Sequence, residues 1–225
     1  MSAEELRFSV GDAIGQVSAL WLCPPRARLT YVLAHGAGAG MRHPSLETIA
    51  RALAERGVAT LRYQFPYMEQ HKKRVDSPDV AVATVRAAVG VAADAAGDVP
   101  LIAGGKSFGG RMTSTAQSQE PLAGVRGLAF LGFPLHPPGQ PGTKRAEHLA
   151  KVQLPLLFLQ GDRDEFADLS LLRPVVRELG KRATLHVVKG GDHSFAVLKR
   201  SGRTPAQVLD ELVETIADWG LNLRP

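Results

Sequence analysis

The 225-residue sequence predicts a three-layer α/β protein: a mostly parallel sheet behind an N-terminal antiparallel hairpin, with no large lid. Three observations support this. Two alternating segments flank a turn-rich break at the start, as in a hairpin. Short apolar runs then alternate with segments of helical period, the pattern of a parallel sheet covered on both faces. Glycine-rich loops follow several of those runs, at the strand ends where such sheets bind ligands. A single domain over residues 1–225 is expected from the length.

The elements follow in order. Leu6–Val10 and Gln16–Leu22 form the hairpin around Gly11–Gly15, and Pro24-Pro25 ends it. Leu29–Ala34 is a short apolar strand that runs into the loop His35–Gly40. Ser45–Arg56 places Leu46, Ile49, Ala50 and Leu53 at helical spacing, and Gly57 stops it. Val58–Arg62 is strand-like. Pro78–Ala96 reads as a helix with Ser77 as N-cap and Pro78 at its first position. Strand Val99–Ala103, helix Phe108–Ser118 and strand Gly127–Leu131 come next. Leu156–Leu159 is a strand, Leu169–Leu179 a helix ended by Gly180, and Thr184–Val188 a strand. Thr204–Trp219 closes the chain as a helix, with Thr204 as N-cap and Pro205 after it.

Composition excludes several classes. The chain is 44% hydrophobic and 22% charged, which rules out collagen, coiled coil and wholesale disorder. No apolar run approaches the roughly 20 residues that span a bilayer. The acidic start Met1–Glu5 lacks the apolar stretch of a secretory signal. A lone cysteine, Cys23, has no partner for an internal disulfide and fits a reducing, cytoplasmic setting. Net charge is +5, but the cations are scattered, and the densest run is His71-Lys72-Lys73-Arg74. No nucleic-acid-binding motif accompanies it, so neither nucleic acid nor membrane is an expected partner. No metal or cofactor is expected.

The strongest chemical signal is Gly105-Lys106-Ser107-Phe108-Gly109 between a predicted strand and a predicted helix. A serine there sits on a sharp, strained turn with its hydroxyl exposed. The flanking glycines are required because a Cβ would clash where the chain doubles back. A phosphate loop is the competing use of such glycines. The dinucleotide pattern is not met, and a P-loop needs glycine where Pro100 stands.

A nucleophilic serine needs a base and an orienting acid, in this setting in the chain order Ser, acid, His. His193, in Gly190-Gly191-Asp192-His193-Ser194, is the only histidine beyond the last predicted strand. The acid is sought after strand Leu156–Leu159, where Asp162, Asp164, Glu165 and Asp168 stand. Asp164 is preferred. Asp162 remains the second choice, with loop capping as its other use. The oxyanion hole needs two N–H groups, from Phe108 and from Ala37, with Gly38 as the alternative to Ala37. His35 is read as a brace for that loop. Lys106, Arg111, Tyr67 and His136 are expected at the mouth, as substrate-binding residues on a polar rim. For Lys106 the alternative is a side chain turned away into solvent.

These motifs resemble the α/β-hydrolase superfamily. More narrowly, the chain resembles the small hydrolase-like family shared by a testis-expressed protein and a subunit of a histone-acetyltransferase complex. The matching stretches are His35–Gly38 with Met41 and His43-Pro44, then Arg62–Tyr67, Gly104–Arg111 and Phe133–Gly139. Gln160–Asp164 and Gly191–Phe195 complete them. The resemblance implies Ser107, Asp164 and His193 as a catalytic triad, and it names no substrate. Dienelactone-hydrolase-like esterases are similar more loosely. Some of these use cysteine where this chain has Ser107.

About two dozen residues separate Leu131 from Pro155, too few for a cap domain, so an open site is expected. The expected activity is hydrolysis of a small or polar ester or thioester through an acyl-enzyme. The alternative is a protein-interaction module on the same fold. A haloperoxidase-like or acyltransferase variant would use the same triad.

Overall fold

The computed structural model describes residues 1–223. One eight-stranded sheet runs through the molecule in the order β1-β2-β4-β3-β5-β6-β7-β8. The hairpin strands β1 (Glu4–Gly11) and β2 (Gly15–Leu22) pair antiparallel, and β2 joins β4 (Val58–Tyr63) antiparallel. From there the ladder is parallel through β3 (Leu29–Ala34), β5 (Leu101–Lys106), β6 (Val125–Leu131), β7 (Leu156–Gly161) and β8 (Ala183–Val188). The chain runs β3 to β4 in one direction and then β5 to β8 in the other. The sheet therefore has its topological switch between β3 and β5, where such folds place their ligands.

Helices cover both faces because the central strands are apolar on both sides. All six residues of β3, β4 and β7 are buried. Helices α1 (Pro44–Glu55) and α6 (Pro205–Leu221) bury Leu46, Ile49, Leu53, Val208, Leu212 and Ile216 against one face. Helices α3 (Pro78–Ala96), α4 (Phe108–Gln119) and α5 (Leu169–Leu179) bury Val85, Ala88, Met112, Ala116 and Leu172 against the other. The start signals act as read from the sequence. The Ser77 hydroxyl accepts from the Val80 N–H at 3.4 Å. Thr204 and Gln207 form a reciprocal capping box.

Four short elements were not foreseen, among them 3-10 turns at Gly180–Arg182 and Lys199–Ser201. A single helical turn, α2 (Pro66–Glu69), follows β4, and a 3-10 stretch occupies Lys144–Lys151 between β6 and β7. None has enough periodic sequence to announce itself. The expected strand Val99–Ala103 also lies further along, since Gly104, Gly105 and Lys106 pair with β6. Glycine is a poor strand former, but the tight approach of the neighbouring strands leaves it the residue that fits. The β6–β7 connection inserts no cap domain.

Candidate active site

The strand β5 ends at Lys106, and the chain turns abruptly into α4 at Ser107. Ser107 has φ +48° and ψ −114°, a conformation that costs free energy for any residue with a Cβ. Its neighbours explain why the turn is so tight. A Cβ on Gly105 would lie 2.2 Å from the Ala34 carbonyl oxygen, and one on Gly109 would lie 2.5 Å from that of His35. Both positions therefore exclude every side chain, and β3 can press directly against the turn.

The turn projects the Ser107 hydroxyl to His193, which lies in the loop after β8. Ser107 Oγ is 2.9 Å from His193 Nε2, and His193 Nδ1 is 2.7 Å from Asp164 Oδ2. The network assigns the tautomer, with Nδ1–H donating to the carboxylate and Nε2 accepting from the hydroxyl. Asp164 is buried in the loop after β7. Its other oxygen accepts from the Phe166 N–H at 2.8 Å, and Oδ2 also accepts from Gln160 Nε2 at 2.5 Å. A carboxylate so fixed can orient the imidazole and stabilise an imidazolium. Asp162 lies elsewhere. It accepts from the Gly190 N–H at 2.7 Å and so holds the glycine turn that leads to His193. Asp192 accepts from the Ser194 and Ala196 N–H groups at 2.8 and 2.9 Å and shapes the rest of that turn.

The loop after β3 faces the same serine. His35 braces it. Its ring accepts from the Phe65 N–H at 3.1 Å through Nε2, and its Nδ1 lies 2.8 Å from the Gly36 carbonyl. Burial holds His35 down to a pKa of about 4, so the ring is neutral. The Gly38 N–H donates to the Tyr67 hydroxyl at 2.9 Å, which removes it as an oxyanion donor. The Ala37 N–H has no such partner among the described residues, and the Phe108 N–H opens the first turn of α4.

Three of the expected mouth residues need correction. Tyr67 is 1% exposed and does not reach the rim, because its ring packs against His35 and edge-on to Phe108 while its hydroxyl accepts from the Gly38 N–H. His136 is also buried. Its Nε2 accepts from the Asp168 N–H at 3.0 Å and its Nδ1 lies 2.9 Å from the Pro137 carbonyl, so it ties the β6–β7 segment to the acid loop. Lys106 turns neither to substrate nor to solvent. Its ammonium donates to the His193 carbonyl and lies 5.1 Å from the centre of the Phe195 ring. Burial lowers its pKa to about 8. Among the described residues Arg111 alone of the four has no hydrogen-bond or ion-pair partner for its side chain, half-buried on α4 one turn beyond Ser107.

Two contributors were missed from the sequence. Gln160 is a lone polar residue at the end of an apolar strand, and that contrast was the available signal. Phe166 packs its ring on His193 with centroids 4.3 Å apart, and nothing local marks it. Among the described residues no group of three or more His, Cys, Asp or Glu is placed to hold a metal ion. No helix among them is long and apolar enough to cross a membrane.

Residues 27–220 match the model of a family described as an alpha/beta hydrolase domain. The fold is similar to an a/b serine hydrolase without lid from Xanthomonas campestris, at TM-score 0.76 and 21% identity, covering 100% of this chain and 98% of that one. It is also similar to an alpha-beta serine hydrolase homologue from Coxiella burnetii, at TM-score 0.73 and 22% identity over 97% of each chain. A dienelactone hydrolase from Anabaena variabilis matches at TM-score 0.76 and 17% identity over 100% of each chain.

Proposed function

The chain belongs to the alpha/beta hydrolase domain family, and from that premise we propose that it is a serine hydrolase of small or polar carboxylic esters or thioesters. The observation that carries the reading is the continuous relay from Ser107 Oγ through His193 to buried Asp164, at 2.9 and 2.7 Å. A fold can serve without such a relay, and a binding module has no physical use for it. Within the family, the Phe133–Gly139 stretch favours kinship with the small group of the testis-expressed protein. The exposed lone Cys23 fits a reducing, cytoplasmic setting.

In the proposed reaction, Ser107 Oγ attacks the acyl carbonyl carbon while His193 Nε2 takes the hydroxyl proton. The tetrahedral oxyanion is held by the Phe108 and Ala37 N–H groups. As the intermediate collapses, His193 returns the proton to the departing alcohol or thiol. Water then attacks the acyl-enzyme by the same route, giving the carboxylic acid and free Ser107. Asp164 stays ionised throughout and stabilises the imidazolium.

Labelling with a fluorophosphonate probe tests this. The wild-type protein labels, Ser107→Ala does not, and His193→Ala labels far more slowly. Turnover of an activated ester falls by about 10⁴ in either variant. A folded wild-type protein that fails to label overturns the reading and favours a binding role.

A further inference from the structure

An apolar cavity lies beside the histidine loop. Its volume is about 320 Å³, near the lower end of small-molecule sites, which run from roughly 300 to 1,000 Å³. Ile49 of α1, Val208 and Leu212 of α6 and Phe195 of the loop line it, and all four are buried. Ser45, Thr48 and Ser194 add hydroxyls. Among the described residues no charged side chain lines it. Two other cavities along α6 differ in that respect, since both carry Asp210, Glu214 and Asp218. A hydrocarbon group therefore gains by entering the apolar cavity, and an ion does not.

The cavity continues the catalytic cleft. The two loops that flank Ser107 each run on into one of its walls. The loop 35–40, which carries the Ala37 N–H, leads through His43 into the first two turns of α1, where Ser45, Thr48 and Ile49 stand. His193, 2.9 Å from Ser107 Oγ, is followed at once by Ser194 and Phe195. Adjacent Cα atoms are about 3.8 Å apart, so the cavity wall begins one step from the base. Lys106, the residue before the nucleophile, spans the two loops. A Cβ on Gly36 would lie 3.4 Å from Lys106 Cγ and 3.7 Å from Ser107 Cβ, while Lys106 Nζ donates to the His193 carbonyl. The same Nζ lies 5.1 Å from the centre of the Phe195 ring.

Phe195 itself has φ +65°, a strained conformation for a bulky side chain. Asp192 holds it there. Its carboxylate accepts from the Ser194 and Ala196 N–H groups, and its carbonyl accepts from the Phe195 N–H at 2.9 Å. Strain of this kind persists only where the surroundings fix it, and it gathers at ligand clamps.

We propose that this cavity is an apolar substrate subsite, so that the ester or thioester cleaved at Ser107 carries a hydrocarbon chain or ring of moderate size. The assignment to a substrate rests on the hydrolase reading, and it selects the small apolar members of the class that reading allows. The preference of the cavity for hydrocarbon does not rest on it. The acyl chain and the departing alcohol are the two sources of such a group, and the test separates them.

Turnover is measured for 4-nitrophenyl acetate, butyrate and hexanoate, and for ethyl, butyl and hexyl acetate. In one series kcat/KM rises about tenfold or more from the shortest member to the longest. A rise in the first series places the group on the acyl side, and a rise in the second places it on the alcohol side. Thr48→Trp, at an exposed position of the wall, fills the cavity and flattens the rise. The comparison is a ratio within one protein, so a fraction of unfolded chains does not alter it. Ile49→Ala enlarges the cavity and moves the preferred length upward, which loss of folding cannot do. In parallel, 1-hexanol is titrated into Ser107→Ala and followed by ligand-observed NMR. It binds saturably, and adding Thr48→Trp weakens it about tenfold or more. Two flat series in a protein that labels with the fluorophosphonate, a rise indifferent to Thr48→Trp, or hexanol that does not bind each overturn the subsite. Hexanol binding that Thr48→Trp weakens, in a protein that does not label, keeps the hydrocarbon site and removes the hydrolase reading.

Discussion

At the scale of single residues, Lys106 is the most unusual member of the site. It stands next to the nucleophile, yet its ammonium is turned under the histidine loop toward the His193 carbonyl and the Phe195 ring. Burial works against the charge, and the fields of Asp164 and Asp192 only partly offset it. Its pKa of about 8 lies below the ordinary 10.5, so between these values the unfolded chain binds the proton and the folded chain does not. Stability then rises with pH across that window, by on the order of 3 kcal/mol in full. Lys106→Met lacks the ionisation. Denaturant melts from pH 7 to 10 should show the wild type gaining on the variant above pH 8. Parallel curves would mean that the lysine is solvated. The same variant loses the tether on the His193 carbonyl and should label with the fluorophosphonate more slowly at every pH.

Elements show the same logic through their glycines. Gly105→Ala places a methyl group 2.2 Å from the Ala34 carbonyl oxygen, at φ +139°. Neither backbone can withdraw without opening the β3–β5 ladder. The expected cost is several kcal/mol, enough to remove folded protein from expression trials. Gly90 on α3 is the control, since nothing lies within 4 Å of an added Cβ and the residue is exposed. Gly90→Ala should stabilise by about 0.5–1 kcal/mol. Thermal melts of the two variants decide it, and equal shifts would show that helix propensity and close approach had been misjudged. The contrast also explains what the sequence disclosed. Helices α3 and α6 carry Ser77 or Thr204 before a proline, and their starts were readable. The glycines around Ser107 were readable because the strained turn demands them. The turn α2, the 3-10 stretch 144–151 and the burial of Tyr67 and His136 were not. These depend on tertiary partners, Gly38 and Asp168 among them, that no local pattern names.

Across the whole molecule, acid is the condition that tests whether the site and the fold are one structure. His35 ties the end of β3 to the Phe65 backbone beyond β4, the parallel strand beside it. Its Nε2 accepts a hydrogen bond, so a protonated ring would aim an N–H at another N–H. The folded pKa is about 4 against 6.5 in the open chain. As pH falls from 6.5 toward 4, the unfolded state takes up the proton first and stability declines, by roughly 3 kcal/mol from this one group. His148 acts in the same sense but less, being partly exposed. A domain holds only about 5–15 kcal/mol in total, so the loss is visible in a denaturant midpoint. His35→Gln removes the ionisation. At pH 7 the variant is less stable than the wild type, and the gap should narrow steadily down to pH 4. If the gap stays constant, His35 is not held neutral by the fold. If it narrows, the folded protein keeps the ring neutral, and the His35 brace on the Ala37 loop survives until the pH nears 4.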